Sequence, residues 1–177
     1  MPGKPRVLVA LVAAAAAVTS IAFVNAVPAY AKDVVSCNSD RSGDGTPENQ
    51  KTIFATNGAY VTITIDLCVS RIDKNSQRGG TARSITWKGS IAAKRFNSFK
   101  LTVRLEHSEK TVKTHTCDMT ATLDRYRMNY RAYSCLAGWA TNAGAGHWTT
   151  DATVVYDVYN DGKGAYTWQL RGSPEIN

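Results

Sequence analysis

Apolar and polar residues alternate with a period of two in several stretches of this chain, which is the pattern of a half-buried β-strand. The clearest stretch is residues 60–69, in which the odd-numbered positions are apolar and the even-numbered positions are mostly polar. Residues 98–106 repeat this pattern, and their polar positions include Lys100, Arg104 and Glu106. Both stretches predict strands with one face in a core and the other at the surface.

Further strands are predicted where β-branched and aromatic residues lie between turn-forming residues. Their ranges are 52–55, 84–91, 147–159 and 165–171. Asn57-Gly58 favours a tight hairpin turn just before residue 60. After residue 31, no stretch holds apolar residues at helical spacing for three turns, and the chain has no internal repeat or linker. The sequence therefore predicts one all-β domain, an antiparallel β-sandwich or flattened barrel of about seven or eight strands.

A central β-hairpin is predicted over residues 113–136, where two runs rich in Thr, Tyr, Leu and Met flank the polar pair Asp124-Arg125. This hairpin conflicts with the two cysteines that it contains. If Cys117 lay directly opposite Cys135, the apolar face of one arm would lie beside the polar face of the other. Either a bulge shifts the register, or these cysteines bridge non-adjacent strands or belong to different disulfides.

The N-terminus has the pattern of a cleaved export signal. Two basic residues precede an apolar run of 17 residues (7–23), and the small residues Ala29 and Ala31 follow it at alternate positions. We therefore predict a signal peptide over residues 1–31 and a single secreted domain over residues 32–177.

Two alternatives to this signal peptide stay open. Signal peptidase also accepts the small residues around Asn25, which would place the cut after residue 26. The apolar run is close to the roughly 17 to 25 residues that a membrane-spanning helix needs, so an uncleaved anchor is the other alternative. Cleavage is favoured because alanine is only weakly apolar, and no membrane insertion is then expected of the secreted domain.

Four cysteines in an exported domain of this size predict two disulfides. Three connectivities are open, and pairing Cys37 with Cys68 and Cys117 with Cys135 is favoured because it closes the shortest loops. No pair of cysteines has the close spacing of a zinc site. Residues 38–49 begin like a calcium loop, but the acid that should close the loop is displaced by one position. We predict neither a metal nor a cofactor.

Positive charge is concentrated in the middle of the chain. The whole chain has a net charge of +7, and without the predicted signal peptide the domain has 19 basic and 14 acidic residues. Residues 71–131 carry a net charge of +9, whereas the segments on either side each carry −2. Such an excess favours an anionic partner, although solvation of strand edges and outer faces explains it as well.

The second arm of the predicted hairpin would present a row of arginines on one face. Side chains on one face of a strand are spaced about 6 to 7 Å apart, so guanidinium groups in this row would clamp phosphate or carboxylate groups. The predicted binding residues are Arg125, Arg127, Arg131 and Tyr133, extended by Lys100 and Arg104, with Trp139 in the loop 137–146 as a stacking side chain. There is a structural alternative to each binding role: the arginines would only solvate an outer face, and Trp139 would pack in the core.

Three functions of different class follow from these residues. The first is a non-catalytic binding protein for an anionic polymer or an extracellular glycan, and the second is an inhibitor or toxin-like module that binds another secreted protein. The third is a small ribonuclease-like hydrolase, for which Glu106, His115 or His147, and Arg127 are the candidate base, acid and phosphate clamp. Hydrolase sequence signatures are absent, so binding is favoured over catalysis.

Overall fold

The computed structural model describes residues 33–40, 49–72, 76–91 and 93–177. For residue 40 and residues 129–132 it describes the backbone and not the side chains. The predicted signal peptide and most of the calcium-like loop lie outside these ranges. No helix in the described ranges has the length and apolar composition needed to cross a bilayer.

Two antiparallel sheets form the described part of the chain. Its strands are β1 (Val34–Cys37), β2 (Asn49–Phe54), β3 (Tyr60–Ile72), β4 (Gln77–Gly89), β5 (Phe96–His107), β6 (Lys110–Asp118), β7 (Met128–Ala140), β8 (Trp148–Val158) and β9 (Ala165–Gln169). In sheet A, β1 and β2 both pair along one edge of β3, followed by β4 and β7. Sheet B has the order β6, β5, β8, β9. The prediction of an all-β sandwich is confirmed, with nine strands in these ranges.

The core lies between the two sheets and is built from the alternating positions that the sequence pattern identifies. Side chains on the inner face of β3, such as Val61 and Ile63, are fully buried, and so are Leu101 and Val103 on β5. Strand β3 contacts β8, and β4 contacts both β5 and β8, across this core. Burying one apolar face of each sheet against the other is the main favourable contribution to folding in such a sandwich.

The predicted central hairpin is wrong, because its two arms belong to different sheets. Strand β6 pairs with β5 in sheet B, and β7 pairs with β4 in sheet A. The cysteine pairing preferred from the sequence is confirmed, and the Cys117–Cys135 disulfide joins the edge strands of the two sheets. The conflict of register therefore disappears, since these two strands are not hydrogen-bonded neighbours.

A six-residue helix, α1 (Thr120–Arg125), replaces the predicted hairpin turn. The Asp118 carboxylate accepts hydrogen bonds from the backbone N–H and the hydroxyl of Thr120, at 2.9 and 2.6 Å. At the other end, the buried guanidinium of Arg95 donates to the carbonyl oxygen of Leu123, whose side chain is also buried. The helix is too short to show helical periodicity in the sequence, which is why the pattern did not predict it.

The edge of the sandwich opposite the Cys117–Cys135 disulfide is closed by hydrogen bonds to Arg171. The buried Asn49 accepts the backbone N–H of Arg171 at 2.7 Å and donates to its carbonyl oxygen at 3.0 Å. Asn38 also donates to this oxygen and accepts the backbone N–H of Leu67. Next to Asn38, the Cys37–Cys68 disulfide joins directly paired residues of β1 and β3.

Removing the disulfide between the sheets should loosen one edge of the sandwich. We expect the double substitution Cys117→Ala and Cys135→Ala to lower the free energy of unfolding by about 2 to 4 kcal/mol and to speed hydrogen exchange of the β6 amides. Denaturant unfolding and hydrogen exchange of the oxidised protein measure these two effects. The matched control is Cys37→Ala with Cys68→Ala, which removes a bond within one sheet. Unchanged exchange in β6 after loss of the Cys117–Cys135 bond would contradict this role.

Candidate functional site

The predicted arginine row does not form on a single strand. Arg125 lies in the last turn of α1, Arg127 in the link that follows, and Tyr133 within β7, while the side chain of Arg131 is not described. Arg127 donates a hydrogen bond from Nε to a backbone carbonyl oxygen of β4 at 3.4 Å. The guanidinium of Arg125 lies 5.6 Å from the ring centre of Tyr126. The predicted arginine row needed one continuous strand, and helix α1 interrupts that strand.

Lys100 and Arg104 lie on another element, strand β5 of sheet B. Arg104 donates from Nε to the Glu106 carboxylate at 3.3 Å and from Nη1 to the hydroxyl of Thr153 at 3.1 Å. The predicted cations are therefore divided between β5 and the segment that contains α1 and the link to β7.

Trp139 lies on strand β7 and not in the predicted loop 137–146, whose first four residues are part of this strand. The register between β4 and β7 shifts between the pairs Gly80–Gly138 and Thr81–Leu136, so Ala137 is one extra residue on β7. Gly138 has φ +124°, a conformation that a side chain would strain. This bulge changes the alternation, so that Trp139 points to the outer face of sheet A instead of the core.

The indole of Trp139 lies directly over the backbone of Gly79. A Cβ atom added at Gly79 would come within 2.7 Å of the six-membered ring of the indole. Gly79 is paired with Trp139 across the two strands, and its missing side chain leaves room for the ring. The tryptophan remains 36% exposed, so the ring is supported by backbone on one side and accessible to solvent.

We call the outer surface of sheet A the A face. Its described side chains include Thr52, Phe54, Tyr60, Thr62, Thr64, Arg83, Thr86, Lys88, Leu136 and Trp139. Phe54 and Leu136 are among the exposed large apolar side chains, at 70% and 42% exposure. From the row of Tyr60 to the row of Trp139 the face is roughly 30 Å long, given about 3.3 Å per strand residue. Arg83 and Lys88 are exposed on it and form no ion pair with another described residue.

An acidic cleft of about 580 Å³ lies at one end of the outer face of sheet B. It is lined by Glu106, Ser108, Glu109, His147, Thr149, Asp151 and Glu175. His147 Nδ1 contacts the Glu175 carboxylate, and a side chain at Gly172 would overlap the Asp151 carboxylate. The C-terminal segment therefore forms one wall of this cleft.

Glu106 and Asp151 form a carboxyl pair within the acidic cleft. Partial burial of Asp151 and the neighbouring Glu106 carboxylate raise the pKa of Asp151, while Arg104 opposes this shift. Two carboxyl groups held this close favour sharing one proton over carrying two negative charges. Of the residues proposed for hydrolysis, Glu106 and His147 thus come together, whereas His115 lies exposed on β6 and Arg127 lies near the far end of sheet A.

A donor cluster that resembles a metal site is explained by a disulfide. Ligand atoms of Cys37, Asp66 and Cys68 lie within 4.8 Å of one another. Both sulfurs are bonded to each other, and the Asp66 carboxylate accepts two hydrogen bonds from Ser39, at 3.0 and 2.7 Å. These atoms are therefore committed to holding β1 against β3 and are not available as a ligand set.

Comparison with known proteins gives no family model, no curated protein sequence and no solved structure that matches this chain.

Sequence reasoning missed Asp151 and Glu175 because their neighbours are distant in the chain. Arg104 is directly paired with Asp151 across β5 and β8, which places Glu106 diagonally beside this aspartate. An alternating pattern defines the outer face of each strand but not the register between them. The only sequence signal was that Glu106 and Asp151 each fall on the polar face of a predicted strand, whereas Glu175 lies outside the predicted strands.

The raised pKa of Asp151 predicts the sign of a pH effect on stability. The folded protein holds the proton more tightly than the unfolded chain, so stability is lost as the pH rises from the ordinary range of an aspartate through the folded-state value. We expect Asp151→Asn, whose amide can donate to Glu106, to stabilise the protein at pH 7 and to have little effect near pH 3, below the ordinary pKa range of an aspartate, where the Asp151 carboxyl keeps its proton in both states.

Urea unfolding at the two pH values measures this difference. The matched control is Asp157→Asn on the outer face of the same strand, since this aspartate accepts a hydrogen bond from Asn97 and is not paired with a carboxyl group. If Asp151→Asn were less stable than the unchanged protein at pH 7, the result would contradict the claim that Asp151 and Glu106 share a proton.

Proposed function

We propose that this protein is a secreted, non-catalytic β-sandwich that binds an anionic polymer or an extracellular glycan along the A face. The observation that carries the proposal is the placement of Trp139, which the β7 bulge turns outwards and Gly79 supports from below. Bulges commonly re-aim a side chain at a binding site, and an indole held flat offers a stacking surface without losing side-chain freedom on binding.

A supported indole suits sugar rings and nucleobases, since both present a flat face to an aromatic ring. The A face continues from Trp139 as a polar surface of hydroxyl groups, among which Thr52 and Thr62 are hydrogen-bonded at 2.8 Å. It ends at Phe54 and Tyr60, whose ring centres are 6.0 Å apart. Aromatic groups at both ends of a long polar face favour an extended ligand over a compact one.

Charge supports an anionic ligand. Among the described side chains, Arg83 and Lys88 are the cations of the A face, and Asp66, the acid paired with Arg83 across the strands, is buried and hydrogen-bonded to Ser39. The exposed charge of the described part of the A face is therefore positive. Carboxylate or sulfate groups on a polymer would gain two favourable contacts there, which salt would weaken.

Secretion is the part of the proposal that rests on the sequence pattern of residues 1–31. The two disulfides support it, because such bonds persist in oxidising compartments.

Truncating the indole should weaken polymer binding with little effect on folding. We expect Trp139→Ala to lower the affinity of the oxidised protein for heparin or polygalacturonate by roughly tenfold, since a stacked aromatic contact contributes about 1 to 3 kcal/mol. Retention on each immobilised polymer over a salt gradient measures this effect. The matched control is Val155→Ala, an equally exposed side chain on the outer face of sheet B.

The charge of the A face is tested on the same matrices. The double substitution Arg83→Ala and Lys88→Ala should make retention less sensitive to salt, whereas Lys110→Ala on sheet B should not. Binding that depends on neither Trp139 nor these two cations would refute the proposed surface.

A hydrolase is the second candidate function, and the carboxyl pair of the acidic cleft favours it. Glu106 and Asp151, whose pKa is raised, would supply a general base and a general acid on one surface, next to His147. This candidate predicts turnover of a polysaccharide or RNA that Glu106→Gln abolishes and Glu109→Gln, at the rim of the cleft, leaves largely intact. Reducing-end and acid-soluble nucleotide assays measure such turnover. No turnover in either assay would contradict the hydrolase and leave binding as the one proposed function.

A further inference from the structure

A concave site lies at the edge of the sandwich opposite Trp139, between β2 of sheet A and the turn that joins β8 to β9. Its volume is about 350 Å³, which lies at the lower end of the range for small-molecule sites. We call it the edge cleft, and its functional lining residues are Thr52, Phe54, Tyr156, Asp161, Lys163 and Tyr166.

Aromatic rings form two walls of the edge cleft. On the sheet B side, Tyr166 stacks on Tyr156 with ring centres 5.3 Å apart and planes 18° apart, and Tyr156 stacks in turn on the buried Phe99. This column of rings fixes the orientation of Tyr166 from the core outwards. On the sheet A side the cleft is bounded by Phe54, the most exposed large apolar side chain in the described residues.

Polar groups converge at the mouth of the edge cleft. The Asp161 carboxylate accepts the Tyr166 hydroxyl at 2.8 Å through one oxygen and the backbone N–H of Lys163 at 2.9 Å through the other. Each carboxylate oxygen can accept a further hydrogen bond, so Asp161 keeps acceptor capacity for a ligand. The Lys163 ammonium is exposed and makes no ion pair with any described residue.

Backbone geometry and two hydrogen bonds hold the Asp161 carboxylate in place. Asn160, Gly162 and Gly164 have φ values of +55°, +66° and +75°, so the chain turns tightly around Asp161. A carboxylate held beside aromatic walls, with an exposed ammonium two residues away, matches the chemistry of a pyranose ring, which has apolar C–H faces and hydroxyl groups around its rim.

We propose that the edge cleft binds a single pyranose ring, with Phe54 and Tyr166 against its faces, Asp161 accepting two neighbouring hydroxyl groups and Lys163 donating to a third oxygen. The edge cleft shares Thr52 and Phe54 with the end of the A face. It does not require Trp139, which is on the far edge of sheet A from β2. The edge cleft would bind a free monosaccharide or the end of a glycan.

The test uses the oxidised protein with the methyl glycosides of glucose, galactose, mannose and N-acetylglucosamine as probes, titrated while amide chemical shifts are recorded. At least one glycoside should give saturable shifts at residues 52–56 and 161–166, with a dissociation constant on the order of 1 mM. Cyclohexanol is the control probe, since it has an apolar ring with one hydroxyl group and should bind more weakly than that glycoside.

Three variants separate this site from the A face. Asp161→Asn retains the acceptor for the Lys163 N–H and should weaken glycoside binding roughly tenfold, because hydrogen bonds to charged groups are the stronger ones. Val155→Ala should leave the shifts at residues 52–56 and 161–166 unchanged, and Trp139→Ala should reduce polymer retention without altering those shifts. No saturable shifts with any glycoside, shifts centred outside the edge cleft, equal binding of cyclohexanol, or an unaffected Asp161→Asn variant would each overturn the proposal.

Discussion

The disulfide between Cys117 and Cys135 is the constraint on which the proposed surface depends. It joins the edge strands β6 and β7, which share no hydrogen-bonded pairing, and so it fixes β7 between its partner β4 and the opposite sheet. An edge strand has a ladder on one side only, and its register is more easily lost than that of a central strand. The β7 bulge, and with it the outward orientation of Trp139, requires this strand to stay in register.

The two outer faces of the sandwich differ in chemistry. The A face has aromatic side chains at both ends with exposed cations between them, whereas the outer face of sheet B carries the Glu106–Asp151 pair at one end. The buried faces of sheet A and sheet B are both apolar, because together they form one hydrophobic core. Functional differences therefore arise from the polar half of the alternating pattern, which folding leaves free to vary.

Local pattern predicted the strands that are long and regular, such as β3 and β5, and the shortest-loop rule predicted both disulfides. It failed where pairing is not local: residues 113–136 looked like a hairpin because neighbouring strands usually pair, yet β6 and β7 lie in different sheets. Trp139 was predicted to be a stacking residue, and this stays a prediction, but the face on which it lies depends on one extra residue at Ala137, which alternation alone does not reveal. The pairing of Glu106 with Asp151 likewise needs the register of β5 on β8.

The central claim is that ligand binding uses the A face, and side-chain footprinting by hydroxyl radicals tests it most directly. The oxidised protein would be labelled with and without a saturating sulfated or uronic acid oligosaccharide. Protection of Trp139, Leu136 and Tyr60, with unchanged labelling of Val155 on the outer face of sheet B, is the predicted result. Protection confined to sheet B, or none on either face, would contradict the account.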